Sequence, residues 1–384
     1  MNFGLKEEHV MLRNAVRDFA QGEIKPVMHE LDKKEEFSID LTRKMGDMGL
    51  FGVFVSPEYG GQGMDYLAYI IAVEEIARVN GSQAATVAAG NSLGIGPLYY
   101  YGTEEQKRKY LPDLCSGHKL WGFGLTEPNA GSDAGNSKTK AELIDGRWVI
   151  NGSKIFITNA ASAMTLGSTV QCITGKLPDG KKEYSCICVE QGAEGFDARP
   201  MHNKMTWRSS NTAELYFTDV AVPEENLLGT RGDGFKQMLA TLDRGRLSIA
   251  AMGLGGAQGA FEAAVQYSKE RIQFGKPILA FQNTQFKIAE VGTKIEAARC
   301  LLYKACMLID EKKPFQKQAA MAKYYCSEVM KEAADVCVQI HGGYGLMEEY
   351  PAAQFYRDQR LLEIGEGTSE VQKIVISRLI TGER

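Results

Sequence analysis

Apolar residues in this 384-residue chain recur first at helical spacing, then at every second position, then at helical spacing again. Leu12, Val16 and Phe19 stand at i, i+4 and i+7, and the stretch from Tyr66 to Val79 places Leu67, Ile70, Ile71 and Ile76 in the same rhythm. Thr103, followed by Glu104 and Glu105, starts another helix with acid in its first turn. From Trp121 to about residue 230 short alternating runs take over. Asp145-Gly146 precedes Arg147 to Ile150 and Asn151-Gly152 precedes Lys154 to Thr158, pairs that predict hairpin turns. Tyr184 to Val189 and Glu214 to Val222 read as further strands, the second stopped by Pro223. From Gly234 the helical period holds to the C-terminus, broken at Gly275-Lys276-Pro277, Lys313-Pro314 and His341 to Gly345. The order predicts an α+β multidomain chain: a helical domain over 1–120, a β sandwich or barrel over 121–232, and a helical bundle over 233–384.

Composition removes several function classes. Lys+Arg 44 against Asp+Glu 48 gives a net charge of −4, which offers no electrostatic reason for a nucleic-acid partner. No apolar run approaches the ~20 residues of a membrane span. The run Met1 to Glu8 lacks a basic-then-apolar signal, so a cytoplasmic protein is expected. Eight scattered cysteines form no Cys-x-x-Cys pair, and five scattered histidines form no i, i+4 pair, so no metal is expected. Gly60-Gly-Gln-Gly63 and Gly253-Leu-Gly-Gly-Ala-Gln-Gly259 imitate phosphate loops. The second follows the helix-like Leu247 to Met252 rather than a strand, so its small residues predict close helix packing.

Three segments carry chemistry. Glu366 lies between Gly365 and Gly367, a carboxylate on a turn before the apolar period Val371, Ile374, Val375. Ser369 and Gln372 have capping-box spacing at that helix's start. Such a turn presents a base to a substrate; taken alone it also reads as a solvated loop. Phe123-Gly-Leu-Thr-Glu-Pro-Asn-Ala-Gly-Ser-Asp133 joins an apolar strand to a turn rich in free amides, suited to an anionic or heterocyclic ligand. In Lys154-Ile-Phe-Ile-Thr-Asn159, Phe156 and Thr158 share a strand face, where a ring and a hydroxyl meet a planar ligand together.

Together these segments resemble the acyl-CoA dehydrogenase flavoprotein family. The similarity extends in the family's order through Arg271-Ile-Gln-Phe-Gly-Lys-Pro277 with Phe281-Gln282, Gln339-Ile-His-Gly-Gly343 and Glu366-Gly-Thr-Ser369. The resemblance implies a four-helix bundle at the C-terminus and FAD as cofactor. Its flavin would contact Phe123, Leu125, Thr126, Phe156, Ile157 and Thr158, with Phe156 standing where many relatives carry tryptophan. Ser132 would lie by the cofactor and the thioester-proximal pantetheine, and Thr368 and Glu370, beside the glutamate, would add further contacts to the cofactor. Arg271, Phe274, Phe281, Gln282, Gln339, Gly342 and Gly343 would reach the adenosine and pyrophosphate end of a neighbouring subunit's FAD, in a homotetramer or at least a dimer.

The same resemblance implies that Glu366 removes the α-proton of an acyl-CoA while flavin N5 takes the β-hydride. Electrons would then pass to an electron-transferring flavoprotein. Leu242, Asp243 and Arg246 would contact the CoA chain, and Gly365 and Gly367 would flank the acyl group. Two departures set the substrate expectation. Gly365 replaces the usual tyrosine, and Asn91 stands where alicyclic-thioester enzymes place an aspartate as second base. The expected substrate is therefore a cyclohexane- or cyclohexene-carboxyl-CoA, with a short-chain butyryl-like or branched thioester as the alternative. An acyl-CoA oxidase or a non-catalytic binding protein on the same fold are the remaining readings.

Overall fold

The computed structural model describes residues 4–382, so Met1 to Phe3 of the N-terminal run lie outside the described residues. Seven helices come first: α1 (Glu7–Phe19), α2 (Met28–Lys34), α3 (Ile39–Asp47), α4 (Tyr66–Ala77), α5 (Gly81–Ala89), α6 (Gly96–Tyr101) and α7 (Glu104–Cys115). Their starts are written in side chains. Ser38, Asp65, Asn80 and Thr103 each accept a first-turn amide, and Thr103 with Gln106 completes a capping box. Every residue of α4 is buried, so this helix is a central rod rather than an amphipathic cover.

The strands are β1 (Leu120–Gly124), β2 (Lys140–Ile144), β3 (Arg147–Thr158), β4 (Thr165–Lys176), β5 (Lys182–Glu190), β6 (Phe196–Pro200), β7 (Thr212–Pro223) and β8 (Leu227–Leu228). They form one mixed sheet in the order β6-β7-β3-β2-β4-β5-β8, with β1 added parallel to β4. The sheet encloses a core of its own around Trp148, Ile150, Val170, Ile187, Leu215 and Val220. Asp145 and Gly146 both take positive φ and turn β2 into β3, as their sequence predicts. Asn151-Gly152 does not turn the chain: it lies inside the continuous β3, at a register shift opposite β7. A Cβ on Gly152 would come within 2.7 Å of Thr139 Cα, so this glycine serves a bulge and a close approach of backbones.

The remaining chain is helical: α8 (Gly234–Glu270), α9 (Gln282–Asp310), α10 (Gln316–His341), α11 (Pro351–Leu362) and α12 (Ser369–Thr381). Between α8 and α9 the short pair β9 (Ile272–Gln273) and β10 (Lys276–Pro277) turns at Phe274 and Gly275, both at positive φ. Among the described residues no helix is long and apolar enough to cross a membrane.

The 37-residue α8 is the spine, touching α4, α5, α9, α10 and α11. Its glycines set the distances. A Cβ at Gly255 or Gly259 would overlap the carbonyl oxygen of Glu74 or Arg78 at α4, and one at Gly253 would lie 2.9 Å from the Cys326 carbonyl of α10. The motif that looked like a phosphate loop is thus a seam of backbone contact. Gly255→Ala should lower stability by about 1–3 kcal/mol through overpacking, although alanine adds about 1 kcal/mol of helix propensity. A denaturation midpoint equal to the parent's would overturn the close-contact account.

Candidate active site

Glu366 occupies the turn between α11 and α12 with φ at 52°, a left-handed conformation that costs a non-glycine residue about 1–2 kcal/mol. The turn is over-determined by its neighbours. Lys323 Nζ on α10 donates to the Gly367 carbonyl at 2.7 Å, and Gln372 Nε2 donates to the carbonyls of Glu366 and Gly367 at 3.2 and 3.0 Å. The amide of Ser369 reaches back to the Glu363 carbonyl at 3.0 Å. The helix cap is Thr368, whose hydroxyl accepts from the Val371 amide, and not Ser369 as the spacing predicts; Ser369 is buried within the first turn. Gln372 accordingly secures the glutamate's own backbone.

The carboxylate points inward. Glu366 Oε2 is inaccessible to solvent and has no hydrogen-bond partner, and a Cβ at Gly245 on α8 would overlap it. Burial pushes the Glu366 carboxyl up to about 7, against the lowering effect of Lys323 and Arg246. Burial likewise pulls Lys323 down to about 8, although Glu366 opposes the shift. A carboxylate with an unpaired oxygen, poised near neutrality beside two cations, is equipped to take a proton from a bound ligand.

The β domain presents a second surface. Glu127 and Lys154, both almost fully buried, pair at 2.9 Å, and Lys154 Nζ also donates to the Leu125 carbonyl at 3.1 Å. Glu127 accepts the amides of Lys138 and Thr139, and the Ile155 amide donates to the Thr126 carbonyl at 2.9 Å. This knot brings the two chemistry-bearing segments side by side. Phe123 and Ile157 belong to the cores, while Leu125, Thr126 and Thr158 are half-buried and Ser132 is exposed. Phe156 takes φ at 62° and stands 61% exposed, a ring turned out of the sheet. An uncovered aromatic face flanked by hydroxyls fits a planar heterocycle such as a flavin.

A third group gathers at the far end of α8 and α10. Arg271 lies 5.6 Å from the ring of Tyr344, which joins the β9–β10 hairpin to the loop after α10. Phe274 is 92% exposed and meets Phe281 edge-on at 5.9 Å. Gln282, Gln339, Gly342 and Gly343 are exposed, and a Cβ on either glycine would meet nothing within 4 Å. Open backbone beside a guanidinium suits a diphosphate.

Other expected residues stand elsewhere in the network. Asn91 is fully buried, but its amide is consumed: Nδ2 donates to the carbonyls of Leu50 and Val87 at 2.8 and 3.0 Å, and Oδ1 accepts the Val53 amide at 3.3 Å. Asn91 thereby clamps α5 to the Leu50–Val53 segment. The Cβ that Gly365 lacks would lie 3.0 Å from Leu361 Cδ2, so the gap beside it is already met from α11. Leu242 and Asp243 are half-buried, Asp243 accepts from Arg246 Nη1 at 2.5 Å, and Arg246 is buried with its Nε unpartnered. Thr368 spends its hydroxyl on the cap, and Glu370 is exposed.

Gly245, Lys323 and the Glu127–Lys154 pair were not singled out from the sequence. The signal for Lys323 is a lone lysine at a helical position among Ala319, Ala320, Ala322 and Cys326, all buried. Away from the site, Glu8, His9 and Asp65 come together, but Lys6 already lies 3.2 and 3.1 Å from the two carboxylates.

Residues 6–118, 122–220 and 232–381 match, in turn, the N-terminal, middle and C-terminal domains of acyl-CoA dehydrogenase. The chain is 49% identical over 378 residues to a probable acyl-CoA dehydrogenase of Bacillus subtilis, covering 98% of this chain and 99% of that one. Butyryl-CoA dehydrogenase from Megasphaera elsdenii superposes with a TM-score of 0.95 at 42% identity, covering 99% of this chain and 100% of the other. An acyl-CoA dehydrogenase from Bacillus anthracis, solved in complex with FAD, gives 0.92 at 33% identity over 100% of this chain and 70% of its own.

Two outcomes follow from the charges. Glu366 has its carboxyl raised from 4.5 to about 7, so folding takes up a proton between those values and the cost of a buried charge is complete above them. Glu366→Gln should therefore gain thermal stability over the parent as pH rises through that window, by up to about 3 kcal/mol. A pH-independent difference would contradict it. Lys154→Met strands Glu127 in the core and should cost about 3–5 kcal/mol in chemical denaturation.

Proposed function

The chain belongs to the acyl-CoA dehydrogenase family, and on that premise we propose that it is an FAD-dependent dehydrogenase of short acyl-CoA thioesters with Glu366 as its base. The observation that carries this reading is the unpartnered Oε2 of Glu366, held in a left-handed turn by Lys323 and Gln372 and raised to about 7. An α-proton of a thioester is weakly acidic, so its acceptor must be a desolvated carboxylate already in position. Gly245 leaves room for that carboxylate against α8, and the dry surroundings of Oε2 keep water from competing for it.

When bound, FAD supplies the acceptor for the hydride that leaves the β-carbon. Leu125, Thr126, Phe156 and Thr158 would face its ring, with the Glu127–Lys154 knot holding their two segments side by side. Arg271, Phe274, Phe281, Gln282, Gln339, Gly342 and Gly343 would hold the adenosine diphosphate end supplied by a second copy of the chain. The exposure of Phe274 supports that arrangement and the oligomer it requires. An electron-transferring flavoprotein is the redox partner this reading calls for.

The cyclic thioester expected from Asn91 and Gly365 gives way to a short linear one. Asn91 has both amide hydrogens committed to the backbone carbonyls of Leu50 and Val87, and Leu361 meets the gap at Gly365. On α4, Tyr69 is fully buried. Its ring packs on Tyr66 at 5.3 Å and Phe54 at 5.7 Å. A short acyl group is in keeping with the similarity to butyryl-CoA dehydrogenase.

Anaerobic titration tests the assignment. Butyryl-CoA should bleach the flavin faster than cyclohexane- or cyclohexene-carboxyl-CoA, and Glu366→Gln should bind flavin yet stay oxidised. A cyclic thioester reacting faster would restore the first expectation. Stoichiometric hydrogen peroxide in air would mark an oxidase, and a colourless protein a binding role.

A further inference from the structure

We infer that Lys323 is a positioning residue for Glu366: its buried ammonium grips the Gly367 carbonyl and, with Arg246, supplies the field that keeps the neighbouring carboxylate ionised. The inference rests on the reading of Glu366 as the base.

Lys323 is fully buried on a stretch of α10 that is otherwise apolar or small, between Ala319, Ala320, Ala322 and Cys326. A lysine there carries a desolvation penalty that methionine of similar length would not. Its compensation is not a carboxylate in contact but a single carbonyl, that of Gly367 at 2.7 Å. That carbonyl belongs to the residue after Glu366, so the ammonium sits under the turn that must stay left-handed.

The charged groups that face this point are few. From α8 come Arg246 and Asp243, joined to each other at 2.5 Å, with Arg246 Nε left buried and unpartnered. From the end of α11 comes Glu363, which is bound by Lys331 at 3.2 Å and by Arg360. From α12 comes Glu370, exposed to solvent, and from α4 comes the hydroxyl of Tyr69, which donates to the Ala88 carbonyl at 2.8 Å. Glu363 is therefore satisfied elsewhere and Glu370 is screened, while Lys323 and Arg246 are the cations acting on Glu366. Both lower its proton affinity while burial raises it, so the balance sits near neutrality. The same ammonium thus acts on shape through Gly367 and on charge through Glu366.

Two substitutions separate these roles. Lys323→Gln keeps a donor for the Gly367 carbonyl and removes the charge; Lys323→Met removes both. The protonation of Glu366 is read directly from its carboxyl infrared band, isolated by difference against Glu366→Gln, between about pH 5 and 9. Both variants are expected to move the midpoint upward by about one pH unit, a tenfold change in proton affinity. The pH profile of flavin reduction should move in the same direction. Lys323→Met should in addition weaken substrate binding, because the turn loses its support. If Lys323→Met does not retain flavin, Lys323→Gln decides alone. A midpoint unchanged in Lys323→Gln overturns the inference. Flavin reduction at the parent's rate in Glu366→Gln would instead overturn the assignment of the base, whatever the lysine variants do.

Discussion

Close backbone contact along α8 is the constraint from which the rest of the molecule takes its dimensions. Gly253, Gly255 and Gly259 admit α4 and α10 to distances that a single methyl would forbid. The same helix, three turns earlier, carries Gly245, whose missing side chain is the space occupied by the Glu366 carboxylate. The spine that compacts the two helical parts therefore also sets the depth of the site. Glycine weakens a helix by roughly 1 kcal/mol at each position. Here that loss is offset by buried contact on several sides, since Leu247, Leu254 and Ala257 are completely enclosed.

Two buried lysine–glutamate relationships show how placement decides chemistry. Lys154 and Glu127 touch at 2.9 Å, and Glu127 is further satisfied by two backbone amides. Its carboxyl is held below the usual range: burial works to raise it, and Lys154 with the amides prevails. Such a pair is inert, and it serves to fasten Thr126 beside Ile155. Lys323 and Glu366 are not hydrogen-bonded to each other, and one carboxylate oxygen has no partner at all. The first arrangement stores no reactivity and the second keeps it. Desolvation is common to both; the number of donors on the carboxylate is what differs.

Much of this was legible in the sequence, because local rules dominate where few long-range contacts compete. The two changes of apolar period mark the strand-rich middle, Thr103 with Gln106 caps α7, and Asp145-Gly146 turns the first hairpin. The glutamate between two glycines was visible as a presented carboxylate. What the sequence leaves out shares a physical cause. Asn151-Gly152 has turn chemistry, but its glycine answers to Thr139, just ahead of β2. Asn91 has the shape of a substrate-facing group, but three backbone atoms from α5 and the Leu50–Val53 segment claim its amide first. Lys323 has the composition of a surface residue, and only tertiary packing shows that it has no surface.

The left-handed turn at Glu366 has a consequence for how this position can change over time. Backbone energy at 52° favours glycine or asparagine there, and burial favours a neutral side chain, so folding alone would discard the glutamate on both counts. If Glu366 is the base, it persists only while a lineage is selected for turnover. Relaxed selection would erode it early and leave a protein sturdier than its ancestor. Loss of the reaction in this fold would then be announced by a gain in thermal tolerance, reversing the usual direction in which damage is recognised.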